Sequence, residues 1–265
     1  MPHLLAVANP KGGVGKTTTA IHLGASLAVS GYRVLLIDLA PQGNATSGLG
    51  VDRETAEMGS AELMFGLCDL YRAARPTPAE GLDLLPATRA LVGAEVELAL
   101  LPNRELRLRA ALREASRYDY IVIDCPPSLG LLTVNALAAA NSVIVPLTGE
   151  FYAMEGLCDA LRSIAAVRQG LNHRLERAGI LLNNLDRRSR LGAEVAQQAR
   201  EVFGHEVFET EIPRDVRLVE ASSFGLPVGL HQPSSRTMEA YLAFSHELLA
   251  RIQPPAWAAL AQEAS

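Results

Sequence analysis

Lysine is almost missing from this 265-residue chain: 22 of its 24 basic residues are arginine, and the two lysines, Lys11 and Lys16, share one glycine-rich segment. A general preference for arginine explains the 22 but not the placement of the exceptions. A compact ammonium and a planar guanidinium are not interchangeable in a tight site, so those two positions demand lysine. Cysteine is scarce too. Cys68, Cys125 and Cys158 are odd in number, far apart and without metal-ligand spacing, which excludes a disulfide scaffold and reads as reduced thiols in a cytosolic chain. No stretch reaches the ~18 continuous apolar residues that span a bilayer, and Met1 to Asn9 lack the basic start and long apolar run of a secretion signal. The expectation is a cytoplasmic protein.

What is present is a globular composition, 49% hydrophobic and 20% charged with a net charge of -5, which excludes disorder. Short apolar runs alternate with helix-length stretches. Leu4 to Asn9, Arg33 to Leu39, Leu82 to Pro86, Tyr120 to Cys125, Ser142 to Leu147 and Gly179 to Asn184 read as strands buried on both faces. The alternation predicts right-handed crossovers and a doubly wound α/β fold, a mostly parallel sheet with helices on both faces. Residues 1–253 are expected to form a single domain closed by a helix over Thr237 to Ile252, and 254–265, opening on Pro254 and Pro255, a loosely attached tail. Residues 51–80 carry no chemical motif. The six histidines are scattered, which favours ordinary surface or core roles over a histidine-based site.

The strand Leu4 to Asn9 runs through Pro10 into Lys11-Gly12-Gly13-Val14-Gly15-Lys16-Thr17-Thr18 and then a helical run. Strand, glycine loop and helix form the context of a phosphate-binding loop. Glycines let the backbone wrap closely around phosphate oxygens, and the amides and dipole at the helix N-terminus favour the anion. In such a loop Lys16 reaches the β- and γ-phosphates and the Thr17 hydroxyl ligates Mg²⁺. Pro10 stands where the usual pattern has glycine, and Lys11 is added, so the loop is a deviant one. Asp124 and Asp38 each end an apolar strand, and ligands of such sheets bind beyond the carboxyl ends of the strands. Asp124 there can hold Mg²⁺ directly or through water.

The loop resembles the signature-lysine P-loop of the ParA, MinD and nitrogenase-iron-protein ATPases. Two further segments resemble the ParA/Soj partitioning branch, namely Leu35-Leu-Ile-Asp38-Leu-Ala40-Pro-Gln-Gly-Asn-Ala-Thr46 and Tyr120-Ile-Val-Ile-Asp124-Cys-Pro-Pro-Ser128. The likeness continues through Ile212-Pro-Arg-Asp-Val-Arg217-Leu-Val-Glu-Ala221. The resemblance implies an ATPase with ATP and Mg²⁺ as cofactors, Asp38 supporting the metal, and Lys11 reaching the ATP of a second subunit in a homodimer. It implies that Asn183 and Asn184 meet the adenine edge and that Pro213 walls the base. It also implies non-specific double-stranded DNA binding through Arg187, Arg188, Arg190, Arg214, Arg217 and Arg236, with a solvated face as the alternative for those arginines. A ParB-type centromere-binding partner and a nucleoid location follow from the same likeness.

One position departs from that pattern. Relatives ordinarily carry a second aspartate where this chain has Ala40, beside the attacking water, so hydrolysis is expected to be impaired and the ATP dimer long-lived. A MinD-like membrane ATPase is the alternative, but it needs a basic amphipathic C-terminus that Pro254 to Glu263 does not supply.

Overall fold

The computed structural model describes residues 1–150, 153–186 and 188–252. Seven strands, β1 (His3–Val7), β2 (Val34–Asp38), β3 (Arg75–Pro76), β4 (Leu82–Leu85), β5 (Tyr120–Asp124), β6 (Ser142–Leu147) and β7 (Glu176–Leu182), form one sheet in the order β3-β4-β2-β5-β1-β6-β7. All neighbours run parallel except the β3–β4 edge pair. The helices are α1 (Lys16–Val29), α2 (Asn44–Gly48), α3 (Ser60–Phe65), α4 (Leu70–Ala73), α5 (Ala94–Leu98), α6 (Arg107–Ala111), α7 (Leu131–Ala139), α8 (Ala153–Gly170), α9 (Arg190–Phe203), α10 (Arg217–Ser223), α11 (Val228–His231) and α12 (Arg236–Ile252).

Both faces of the sheet are covered, as the unbroken apolar runs require. Along β1, Leu4 and Ala6 join one core with α3 to α9, while Leu5 and Val7 join the other with α1 and α10 to α12. The same alternation in β2 and β5 sends Leu35, Ile37, Ile121 and Ile123 one way and Val34, Leu36, Tyr120 and Val122 the other.

The ends of β1, β2, β4 and β5 differ from the sequence expectation by one or two residues, and the start of β7 by more. The last strand starts earlier than Gly179 because it is an edge, where Glu176 and Arg177 reach solvent, and it stops at Leu182 because Asn184 turns left-handed at φ 53°. The motif-free stretch holds α3, α4 and the two-residue β3, whose Pro76 is tolerated only at a sheet edge. The tail 254–265 lies outside the described residues.

Candidate nucleotide site

Strand register builds the site. Asp38 and Asp124 are directly paired across β2 and β5, and Val7, which leads into the glycine loop, pairs with Asp124 on its other side. Three strands thus deliver the loop and both carboxylates to one end of the sheet. The loop turns into α1 at Gly15, whose φ of 82° and close approach to the Asn183 amide leave no room for a side chain. Gly15 at the start of α1 offers no capping side chain, so the first amides of the helix are left for whatever occupies the loop.

Lys16 is 6% exposed and folds back over the loop, its Nζ donating to the Lys11 carbonyl at 2.9 Å. Burial lowers its pKa, and the nearby Asp124 opposes that shift. Thr17 Oγ1 donates to Asp124 Oδ2 at 2.7 Å, while Asp124 Oδ1 is buried without a hydrogen-bond partner among the described residues. Burial and then the charge of Asp38 push the Asp124 carboxyl well above the usual range. Asp38 is also raised by burial, against the bonds it accepts from Thr46 and Ala40 and the field of Arg53. Two buried carboxylates that raise each other's cost of ionisation, one with an orphaned oxygen beside a hydroxyl, form a hard-oxygen donor set suited to Mg²⁺.

Lys11 takes a different position. Its Nζ lies 2.8 Å from Glu150 Oε2, just past β6, with the two side chains 24% and 58% exposed. An exposed pair of this kind is worth about 0 to 1 kcal/mol, so the ammonium is cheaply exchanged to another anion. Asn9 fixes the start of the loop, accepting from Lys11 N–H at 2.9 Å and donating to the Pro146 carbonyl at 2.8 Å. Neither Glu150 nor Asn9 was singled out in the sequence, because both act through contacts made only in the fold.

Asn183, expected at the adenine edge, is bound to the phosphate loop in this structure. It is 2% exposed, and its amide donates to the carbonyls of Val14 at 3.0 Å and Gly15 at 3.4 Å, so it buttresses the loop. Asn184 is the exposed member of the doublet. Pro213 pairs with the next residue, Leu185, in a segment that extends the sheet by hydrogen bonds between Leu185 and both Ile212 and Arg214, each at 3.0 Å. Ala40 is 3% exposed and its N–H donates to Asp38 Oδ1 at 3.0 Å.

The five described arginines of the expected DNA-binding set lie at the same end of the sheet. Arg188 and Arg190 flank the start of α9, Arg217 begins α10, and Arg236 begins α12, which is tied to the Asp215 carboxylate by the Thr237 hydroxyl. Arg214 lines a cleft of about 150 Å³ with Ser189 and Gly192 at the α9 N-terminus. Acids are interspersed: Arg188 and Arg217 lie 3.7 Å from Asp186 and Asp215, and Arg190 lies 2.8 Å from Glu194. Arg187 lies outside the described residues.

Comparison with known proteins agrees with this geometry. A family model described as an AAA domain matches residues 3–177. The chromosome-partitioning ATPase Soj of Thermus thermophilus is 51% identical, covering 94% of this chain and 96% of that protein. The sporulation initiation inhibitor protein Soj of Bacillus subtilis is 47% identical, covering 94% and 99%. Among solved structures, cobyrinic acid a,c-diamide synthase from Mycobacterium smegmatis with bound ATP analogue and magnesium superposes with a TM-score of 0.85 at 37% identity, covering 96% and 97% of the two chains. A phosphate loop facing paired carboxylates, in a chain this similar to Soj proteins along nearly its whole length, belongs to the ParA/Soj family of partitioning ATPases.

Proposed function

We propose that this chain is a nucleotide switch for chromosome or plasmid segregation: it dimerises on ATP, binds double-stranded DNA without regard to sequence, and is reset by a ParB-type partner in the cytoplasm, on the nucleoid. The observation that carries the proposal is continuity. The segment bearing Arg214 and Arg217 leaves directly from the Leu185–Pro213 pairing, two residues past the Asn183 that supports the phosphate loop. Nucleotide crevice and basic face therefore share one scaffold.

In this reading the α1 amides and Lys16 hold the β- and γ-phosphates, and Thr17, Asp124 and Asp38 hold Mg²⁺ directly or through water. An ion held by these residues would supply positive charge that offsets the charge developing on the phosphates. Lys11 leaves its weak pair with Glu150 for the phosphates of the partner's nucleotide, which makes the nucleotide part of the dimer interface. Ala40 offers only a methyl group beside Asp38, so no carboxylate at that position orients water, and turnover is slow.

Co-sedimentation separates the proposal from its membrane alternative. With ATP and Mg²⁺ the protein is expected to pellet with random-sequence DNA and to stay in the supernatant with anionic liposomes. Pelleting with liposomes alone overturns the proposal. Lys11→Ala is expected to bind ATP yet remain a monomer by light scattering.

A further inference from the structure

The loop that carries Asp38 does not end at the nucleotide crevice. Asp38 Oδ2 accepts the Thr46 N–H at 2.8 Å and the Thr46 hydroxyl at 2.7 Å, so α2 is suspended from this carboxylate. Ala87 N–H donates to the same hydroxyl at 2.9 Å, and the Arg53 side chain lies across Gly43 with its guanidinium on the Thr88 carbonyl at 3.0 Å, which holds the loop against the end of β4.

At its far end α2 rests on α10. A Cβ on Gly48 would lie 3.9 Å from Ser222 Cβ, within ordinary contact. One step on, the chains meet backbone to backbone. A Cβ on Gly225 would fall 2.6 Å from Gly50 Cα and 2.8 Å from Gly50 N, and one on Gly50 would fall 3.2 Å from the Gly225 carbonyl oxygen. Both glycines are left-handed, at φ 76° and 68°. Then α10 leads back to Arg217, whose backbone N–H is held at 3.0 Å by Asp215, the residue that also accepts the Thr237 hydroxyl beside Arg236.

From this chain of contacts we infer that the Gly50–Gly225 contact is a strut that couples the Asp38 loop to the arginines of α10 and α12. The inference rests on the DNA reading above and adds how nucleotide controls it. Side chains yield by changing rotamer, but two peptide backbones in van der Waals contact have no rotamers to change, so a displacement of α2 presses on α10. Occupancy that repositions Asp38 moves α2 through Thr46, and α10 with it. The arginines are thereby presented differently in the two nucleotide states, a difference in affinity of the size that typical coupling energies supply.

The test measures anisotropy of a labelled random-sequence duplex, with and without ATP and Mg²⁺ at one fixed salt concentration. Gly225→Ala wedges the two backbones apart and is expected to weaken ATP-dependent DNA binding about 10-fold or more while leaving affinity for a fluorescent ATP analogue unchanged. Gly50→Ala, whose Cβ meets the carbonyl less closely, is expected to give a smaller loss in the same direction. The opposite manipulation closes the contact. In a Cys158→Ser background, Gly48→Cys with Ser222→Cys places two Cβ atoms at a separation disulfides favour, with only the flexible end of Ile21 to give way. The oxidised protein is expected to keep ATP-dependent DNA binding. Parent-like binding by both alanine variants, or loss of the ATP response on oxidation that returns on reduction, overturns the strut. If Gly225→Ala melts, Gly50→Ala and the disulfide decide the matter. A parent protein that ignores DNA when ATP is present sinks the DNA reading and the strut together, whereas parent and wedged proteins that bind equally sink the strut alone.

Discussion

The nucleotide crevice and the basic face lie at the same end of the sheet and are built on opposite principles. In the crevice Lys16, Asp38 and Asp124 are all but sealed from solvent, and a carbonyl, hydroxyls and amides around them hold them by hydrogen bonds. On the face Arg188 and Arg190 are 98% and 94% exposed, and neighbouring acids offset part of their charge. The first region assigns each residue one task that no other can perform. The second spreads a task over many residues, each replaceable. Single substitutions are therefore expected to act in an all-or-none manner in the crevice and in increments on the face.

The largest effect expected is a gain. Ala40→Asp restores a carboxylate next to Asp38, and a positioned general base is worth about 10² to 10⁴ in rate, so ATP turnover with DNA and the partner protein present is expected to rise by that order. Equal rates in the two proteins would show that the water is positioned elsewhere. Lys16→Ala is expected to cost about 100-fold in ATP affinity, because a charged hydrogen-bonding partner is worth up to about 3 kcal/mol. Titration with a fluorescent nucleotide checks this, and near-parental affinity would mean that Lys16 does not meet the phosphates.

On the face the expected increments are smaller and follow salt. Arg217→Glu or Arg188→Glu is expected to weaken DNA binding several-fold to about 10-fold on every sequence and to reduce the slope of log affinity against log salt by about one contact each. ATP binding is spared. A loss confined to certain sequences, or an unchanged slope, would break the comparison by showing that the arginines do not act through phosphates.

The same contrast governs what the sequence discloses. Eight consecutive residues of the phosphate loop are a local pattern, and Asp38 and Asp124 are legible because a parallel strand buried on both faces reads as an unbroken apolar run whose first charge marks its end. Asn183 was visible as a polar pair closing such a run, but its partner is Val14, at the far end of the chain, and no local pattern links them. Glu150, which holds Lys11, and Gly225, which meets Gly50, are ordinary residues until the fold brings their partners to them. Helices as short as α3 and α4 have too few turns to show a period, which is why the stretch around them was silent.

The smallest functional effect concerns the joint between the two regions. His22 lies on α1, one turn past the phosphate loop, and is wholly buried. Its Nδ1 lies 2.7 Å from the Thr18 carbonyl, its Nε2 lies 3.1 Å from the Val228 N–H, and its ring stacks on Tyr241 of α12 at 5.0 Å. A carbonyl needs a donor and an N–H needs an acceptor, so these partners fix the neutral tautomer with the proton on Nδ1. A second proton would set Nε2–H against the Val228 N–H. Burial accordingly lowers the pKa to about 4 from 6.5. As pH falls, the unfolded chain takes up the proton first, so this stability is fully present above about 6.5 and is lost progressively towards 4, about 3 kcal/mol over the whole interval. The buried carboxylates have raised pKa values and change stability in the opposite sense, so the difference between parent and variant isolates the histidine. His22→Gln, which can both donate and accept, is expected to bind ATP normally at pH 7 and to have a shallower acid limb. Between pH 7 and pH 5 the parent's Tm should fall about 5 °C further than the variant's. Parallel melting curves for the two proteins would show that His22 is not the acid-sensitive joint between α1 and the helices that carry the basic face.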